Sequence, residues 1–234
     1  MNTDLPASPD APMTLSPSPL SANGLFQLLF QPRKFFLDTP RLARRFELMV
    51  AVYLIGIAGA IDKVDQRLLE AALKGDALPN DDFMATLLNS WPSYWGVVLG
   101  GGILAAAIAW LIGGWFYGTR VSWSGAKDMD PTLARRVWAW QSLVTALPLT
   151  LLAVAHTLLY SNYAAAWRAD DFVGGLLVMV AIVWSCTVSY VGATTVFTLK
   201  RGRAVFWFLI APITFYLVIA FGAGLMAYNN ATGG

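Results

Sequence analysis

The chain has 234 residues, 57% of them hydrophobic and only 13% charged. A soluble globular domain carries about 25% charged residues, so the composition excludes one and specifies an integral membrane protein. A formal net charge of +2, dispersed along the chain, excludes a nucleic-acid-binding face. The single cysteine, Cys186, lies in an apolar run, where it reads as a small hydrophobe; no intrachain disulfide can form.

Residues 1–23 read as a disordered Pro/Ser-rich tail, with five of the twelve prolines in the first twenty positions. They lack the basic start and apolar core of a signal peptide. Residues 24–37, GLFQLLFQPRKFFL, are too short to span a bilayer. Apolar and aromatic side chains beside Arg33 and Lys34 suit the membrane surface. Packing of the same segment against the bundle is an equal alternative.

Asp38 and Thr39 before Pro40 mark a helix start. A first span of about 46–61 follows, with Glu47 at its mouth and Arg44 three residues earlier as a neutralising partner. From Asp62 to Asp82 there are six acids and three bases. Ile61, Val64, Leu68, Leu69, Ala72 and Leu73 fall at helical spacing, which predicts a separate amphipathic helix on the outer face, ended by Gly75. The second span is about 92–117. Gly96 and Gly100, and again Gly114 and Gly118, are spaced for close helix approach, or are simple enrichment of glycine in membrane helices. A polar loop over 119–136 leads to a third span of about 137–160 containing Pro148.

The fourth and fifth spans, about 172–199 and 204–227, are joined only by Lys200, Arg201, Gly202 and Arg203. So short a link requires an antiparallel helical hairpin. Residues 230–234 form a polar tail. With the N-terminus inside, five Lys/Arg precede the first span, four lie in 119–136 and three in the basic link, against three in 62–82 and Arg168 outside. Cytoplasmic segments retain cations, so this distribution predicts an all-α, five-helix transmembrane bundle with the N-terminus inside and the C-terminus outside, in the cell inner membrane.

Chemistry is sparse. His156 is the only histidine, and no acid lies within a central span to partner it, so it reads as structural or interfacial. No metal-ligand spacing, phosphate loop or nucleophile–base pair is evident, which predicts no catalytic, cofactor-binding or metal residue and no enzyme. Ser185, Thr187, Ser189, Thr194 and Thr195 suit hydrogen bonding between helices. The cations Arg33, Lys34, Arg135, Arg136, Lys200, Arg201 and Arg203 serve topology first and are weak candidates for lipid or partner contact.

One set of residues resembles the Ypt-interacting protein (YIP) family. Pro32-Arg33-Lys34-Phe35-Phe36 resembles its P-x-x-F-F lead-in, and Ser122–Pro131 before a proline-bearing span resembles its second loop. Trp184, Tyr190 and Gly192, then Lys200-Arg201-Gly202-Arg203-Ala204-Val205 and Pro212, are similar to its fourth and fifth spans. The resemblance, over roughly 27–227, implies a five-span helical protein of the bacterial branch with a cytoplasmic N-terminus. Eukaryotic relatives bind Rab-type GTPases in vesicle traffic. This chain does not carry that branch's Asp-Leu-Tyr-Gly-Pro signature, so GTPase binding is not expected and no functional residue is carried over. The expected role is a non-enzymatic scaffold for lipid or partner proteins, including a homo-oligomer or other membrane proteins. The alternative is a small transporter or an accessory subunit of one. A dry, close-packed bundle speaks against transport; a polar cavity reaching the midplane speaks for it.

Overall fold

A computed structural model describes residues 18–74, 82–169 and 172–232. The acids Asp76 and Asp81, Gly75 and most of the predicted N-terminal tail lie outside the described residues. Three short helices open the chain: α1 (Ala22–Phe30), α2 (Pro32–Leu37) and α3 (Thr39–Leu42). Ser21 caps α1 by accepting the Gly24 N–H, and Asp38 caps α3 by accepting the Arg41 N–H. The tail boundary expected at 23 therefore falls inside a capped helix.

The body comprises α4 (Arg45–Leu73), α5 (Asp82–Leu88), α6 (Trp91–Ile108) running through a π-turn into α7 (Gly114–Trp123), α8 (Pro131–Leu159), and α9 (Tyr163–Arg168). Then come α10 (Phe172–Val196), α11 (Arg201–Val205) and, after a second π-turn at Phe206–Ile210, α12 (Ala211–Thr232). No strand occurs among the described residues. Among the described residues, four helices are long and apolar enough to cross a membrane: Trp91–Trp123, Pro131–Leu159, Val173–Val196 and Arg201–Ile219.

Helix α4 differs from the reading of its sequence. The expected first span and the expected separate amphipathic helix are one continuous helix of 29 residues. Its uncharged run between Glu47 and Asp62 has 14 residues, about 21 Å at 1.5 Å per residue, short of a core about 30 Å thick. Val64, Leu68 and Ala71 are buried, so the apolar stripe beyond Asp62 continues the packing face.

Helix α4 packs on α6 and α8, and α10 packs on α8. The closest approach is between α4 and α6. A Cβ built on Gly56 would stand 2.1 Å from the Gly102 carbonyl oxygen and 2.6 Å from the Ala106 Cβ. The glycine spacing in the sequence is only half used. Gly114 and Gly118 do face α8 and the loop before it, against Arg135, Met129 and Ala134, whereas Gly96 and Gly100 have open space beside them.

The basic end of the bundle is joined by specific contacts. Helix α7 stops in a Schellman turn: Ala126 N–H bonds to the Val121 carbonyl and Gly125 N–H to the Ser122 carbonyl, with Gly125 at φ +94°. Ser124 then accepts the Lys200 N–H at 2.9 Å, so the loop before α8 is tied to the link between α10 and α11. The N-terminal segment docks here too. Phe35, Phe36, Leu28 and Leu42 are buried, Trp140 Nε1 donates to the Leu42 carbonyl and Trp184 Nε1 to the Leu29 carbonyl. Gly192 admits the Phe36 ring, whose edge would lie 3.0 Å from a Cβ there. One face of residues 24–37 thus packs on the bundle, while Phe26, Phe30 and Leu37 remain exposed on the other.

Arg41 and Arg120 turn their guanidinium groups into the packing. Arg41 is only 3% exposed; its guanidinium donates to Gln27 Oε1 at 2.7 Å and to the Ser18 carbonyl, and lies over the Phe35 ring. Arg120, expected in a polar loop, lies within α7, donates to Ser189 Oγ and sits 4.4 Å from the Phe208 ring centroid. Charged hydrogen bonds contribute about 1.5–3 kcal/mol each. Arg41→Ala is therefore expected to loosen α1 and speed tryptic cleavage after Arg33 and Lys34; an unchanged cleavage rate would show that α1 is held without it.

Candidate functional site

The bundle is not close-packed throughout. A cavity of about 850 Å³ opens between α4, α8, α9, α10 and α12. Its walls follow helical periodicity. On α4 it is lined by Ile55, Ala58, Gly59, Asp62 and Asp65, and on α8 by Ser142, Thr145, Ala146, Leu149, Ala153 and His156. Ile55 to Asp65 is about 15 Å of helix. Thr145 is the central residue of α8, so the cavity runs from one end of that helix to its middle. Pro148, inside α8, sits beside this deep part; it lacks an N–H to bond the Val144 carbonyl.

One end is acidic and aromatic, lined by Asp62, Asp65, His156, Tyr163 and Trp167; Tyr216 of α12 also lines the cavity. Among the described residues, lysine and arginine are absent from the lining. The Tyr163 hydroxyl donates to Asp65 Oδ1. Asn162 starts α9 by accepting the Ala165 N–H, which sets the position of Tyr163. The Tyr163 ring stacks on Tyr94 at 4.3 Å and meets the Trp91 ring edge-on. Trp91 Nε1 donates to the Tyr160 carbonyl and Trp95 Nε1 to Thr157 Oγ1, which fastens α6 to the top of α8. His156 packs edge-on against Tyr160.

Asp65 lies beyond the apolar run of α4, and burial pushes its carboxyl up to about 6. The Tyr163 hydrogen bond opposes that shift, neighbouring Asp62 reinforces it and His156 opposes it. Burial likewise raises Asp62. Tyr163 is raised by burial and by facing Asp65, which keeps its hydroxyl protonated as a donor. The arrangement can hold a solute and exchange a proton with it.

The predicted candidates are elsewhere. Arg33 and Lys34 are exposed on α2, and Lys200, Arg201 and Arg203 are exposed around α11. Arg135 and Arg136 are half-buried near the start of α8, with the Arg135 stem against Gly114. None of them lines the cavity. His156, read as partnerless, does line it, with two carboxylates that sequence reasoning had assigned to an external helix. The spacing of Asp62 and Asp65, on the same helical face as Ala58 and Ile55, was the available signal. Among the described residues no group of three or more His, Cys, Asp or Glu is placed to hold a metal ion.

A family model for the Yip1 domain matches residues 26–223. The chain belongs to the Yip1 family. No curated protein and no solved structure matches it. The Yip1 domain runs from α1 into α12 and so contains the docked N-terminal segment, the basic link and the whole cavity lining. The resemblance carried by Phe35-Phe36 and Lys200–Val205 is thereby established at the level of the family.

Proposed function

We propose that this Yip1 protein is a non-enzymatic, five-span inner-membrane protein whose bundle takes up a small solute, as a small transporter or an accessory subunit of one. The cavity reaching the middle of α8 carries this reading, because its volume is that of a small-molecule site. Helix α4 serves as the fifth span. Its short apolar run is extended by the Arg44–Glu47 pair at 3.6 Å, which neutralises charge at one end. The cation distribution supports an inside N-terminus, with the mouth bearing Asp62 and Asp65 facing outward.

The test uses the lone cysteine. In a Cys186→Ala background, Thr145→Cys is expected to react with a small water-soluble thiol reagent added to the outer side. Gly100→Cys, on a face with open space in the bundle and lipid around it, is the control expected to stay unlabelled. An unreactive Thr145→Cys, in protein shown to be folded, would sink the solute reading.

A second reading, a scaffold for lipid or partner proteins, is favoured by the N-terminal segment. Phe26, Phe30 and Leu37 project outward beside exposed Arg33 and Lys34, a surface suited to an anionic leaflet or a partner helix. Here Lys200, Arg201, Arg203, Arg135 and Arg136 supply further headgroup or partner contacts. A monomer that retains no lipid and no partner after mild solubilisation would count against it.

A further inference from the structure

We infer that the cavity selects a ligand bearing an ammonium group, bound among Asp62 and Asp65 and the aromatic side chains of Tyr163, Trp167 and Tyr216. The inference rests on the solute-binding reading of the cavity and specifies the chemistry of what enters it.

Three observations carry it. The first is charge. Two carboxylates line a cavity with no lysine or arginine in its lining among the described residues, so its field favours a cation and disfavours an anion. The second is orientation. Tyr163 donates to Asp65 Oδ1 and is itself held by Tyr94 and Trp91, so the carboxylate is fixed in the cavity wall. The third is the lining itself. The aromatic side chains of Tyr163, Trp167 and Tyr216 share it with the two carboxylates, a composition that attracts an organic cation, and the Ser142 and Thr145 hydroxyls can bond a polar tail. A bare metal ion fits poorly, since no cluster of three ligating side chains is present among the described residues. About 850 Å³ suits an organic molecule.

The groups facing the site are Asp62 and Asp65 on α4, Tyr94 on α6, His156 on α8, Tyr163 on α9 and Tyr216 on α12. With its carboxyl raised to about 6, Asp65 is ionised at pH 7.5 and protonated at pH 5, so cation affinity should fall over that interval. The same ammonium chemistry could arrive on a free solute or on an amine-bearing lipid headgroup.

The experiment is calorimetry on the purified full chain. The probes are tetraethylammonium, the neutral N,N-diethylacetamide and the anion pivalate, at pH 7.5 and pH 5. Tetraethylammonium is expected to bind alone at pH 7.5 and to weaken at least tenfold at pH 5. Asp65→Asn should show the low affinity at both values, and Asp65→Glu should restore the pH dependence. Equal or tighter binding of the neutral or anionic probe would overturn the cation inference while leaving a solute-binding cavity. Failure of every probe would overturn both. Repeating the titration in phosphatidylethanolamine and phosphatidylglycerol nanodiscs separates the sources. Competition by phosphatidylethanolamine assigns the ammonium to a lipid, and equal affinity in both assigns it to a free solute; each supports the inference.

Discussion

Gly56→Leu is expected to abolish the native bundle. A Cβ at position 56 would lie 2.1 Å from the Gly102 carbonyl oxygen and 2.6 Å from both the Ala106 Cβ and its backbone nitrogen. The obstructing atoms are mostly backbone of a continuous helix, so no rotamer change relieves the clash. The helices must separate, and their separation removes the contacts that compensate for ordering α4. Overpacking in a well-packed core costs about 1–3 kcal/mol, and a clash with backbone lies at or beyond the upper end. That is a large share of a typical folding free energy of about 5–15 kcal/mol. Gly100→Leu, which meets open space, is the matched control and should leave the unfolding midpoint unchanged. The measurement is the yield of monodisperse protein and its thermal midpoint in one detergent. A Gly56→Leu protein as stable as the Gly100→Leu control would refute the close α4–α6 contact.

The second large effect is pH-dependent stability arising from Asp65. Its carboxyl titrates at about 6 in the folded protein, mainly through burial, against an ordinary value of 3.8. A raised carboxylate favours the neutral form in the fold. Its contribution is fully present below pH 4, where both states are protonated, and is lost as pH rises through 6. The loss amounts to about 3 kcal/mol. Stability should therefore fall between pH 4 and pH 6.5 and then level. Asp65→Asn, which still offers Tyr163 an oxygen, should flatten this part of the profile. Asp62 is raised in the same direction, so a shallow slope should persist in the single variant and diminish further in Asp62→Asn/Asp65→Asn. A wild-type profile that is flat, or that rises with pH, would show that Asp65 is not buried beside Tyr163.

Much of the helical framework was legible from residues alone. The uncharged runs of the fourth and fifth spans end where Lys200, Arg201 and Arg203 begin, and α10 and α11 do break there. The third span, expected from about 137, begins earlier, at Pro131 inside the expected polar loop, where Asp130 caps α8 by accepting the Thr132 N–H. The family resemblance rested on this same stretch. Glycine spacing was a poorer guide. Gly96 and Gly100 have the required interval yet face no helix, whereas Gly56, whose four-residue partner is Ala60 and not a glycine, makes the tightest contact. Spacing defines a face; it does not say what the face meets.

The candidate site was the least legible part. Asp62 and Asp65 look like solvated acids because the local run around them is charged. What buries Asp65 is Tyr163, 98 residues away, delivered by the short helix α9 and held by Tyr94. His156 looked isolated because its neighbours in space come from another helix. Nor does the local sequence around Arg120 and Arg41 announce their packing, since only tertiary structure supplies the rings of Phe208 and Phe35 and the acceptors Ser189 and Gln27.

By itself the sequence determined that the chain is a helical membrane protein, where its long apolar helices lie and to which family it is similar. Those properties depend on the length and charge of contiguous runs, which the bilayer's thickness reads directly. The tertiary structure alone decided that α4 continues past Asp62, that α1–α3 dock on the bundle, and that one cavity joins His156 to Asp62 and Asp65. Those properties depend on which faces meet, and close packing between distant segments is not written in the spacing of either one.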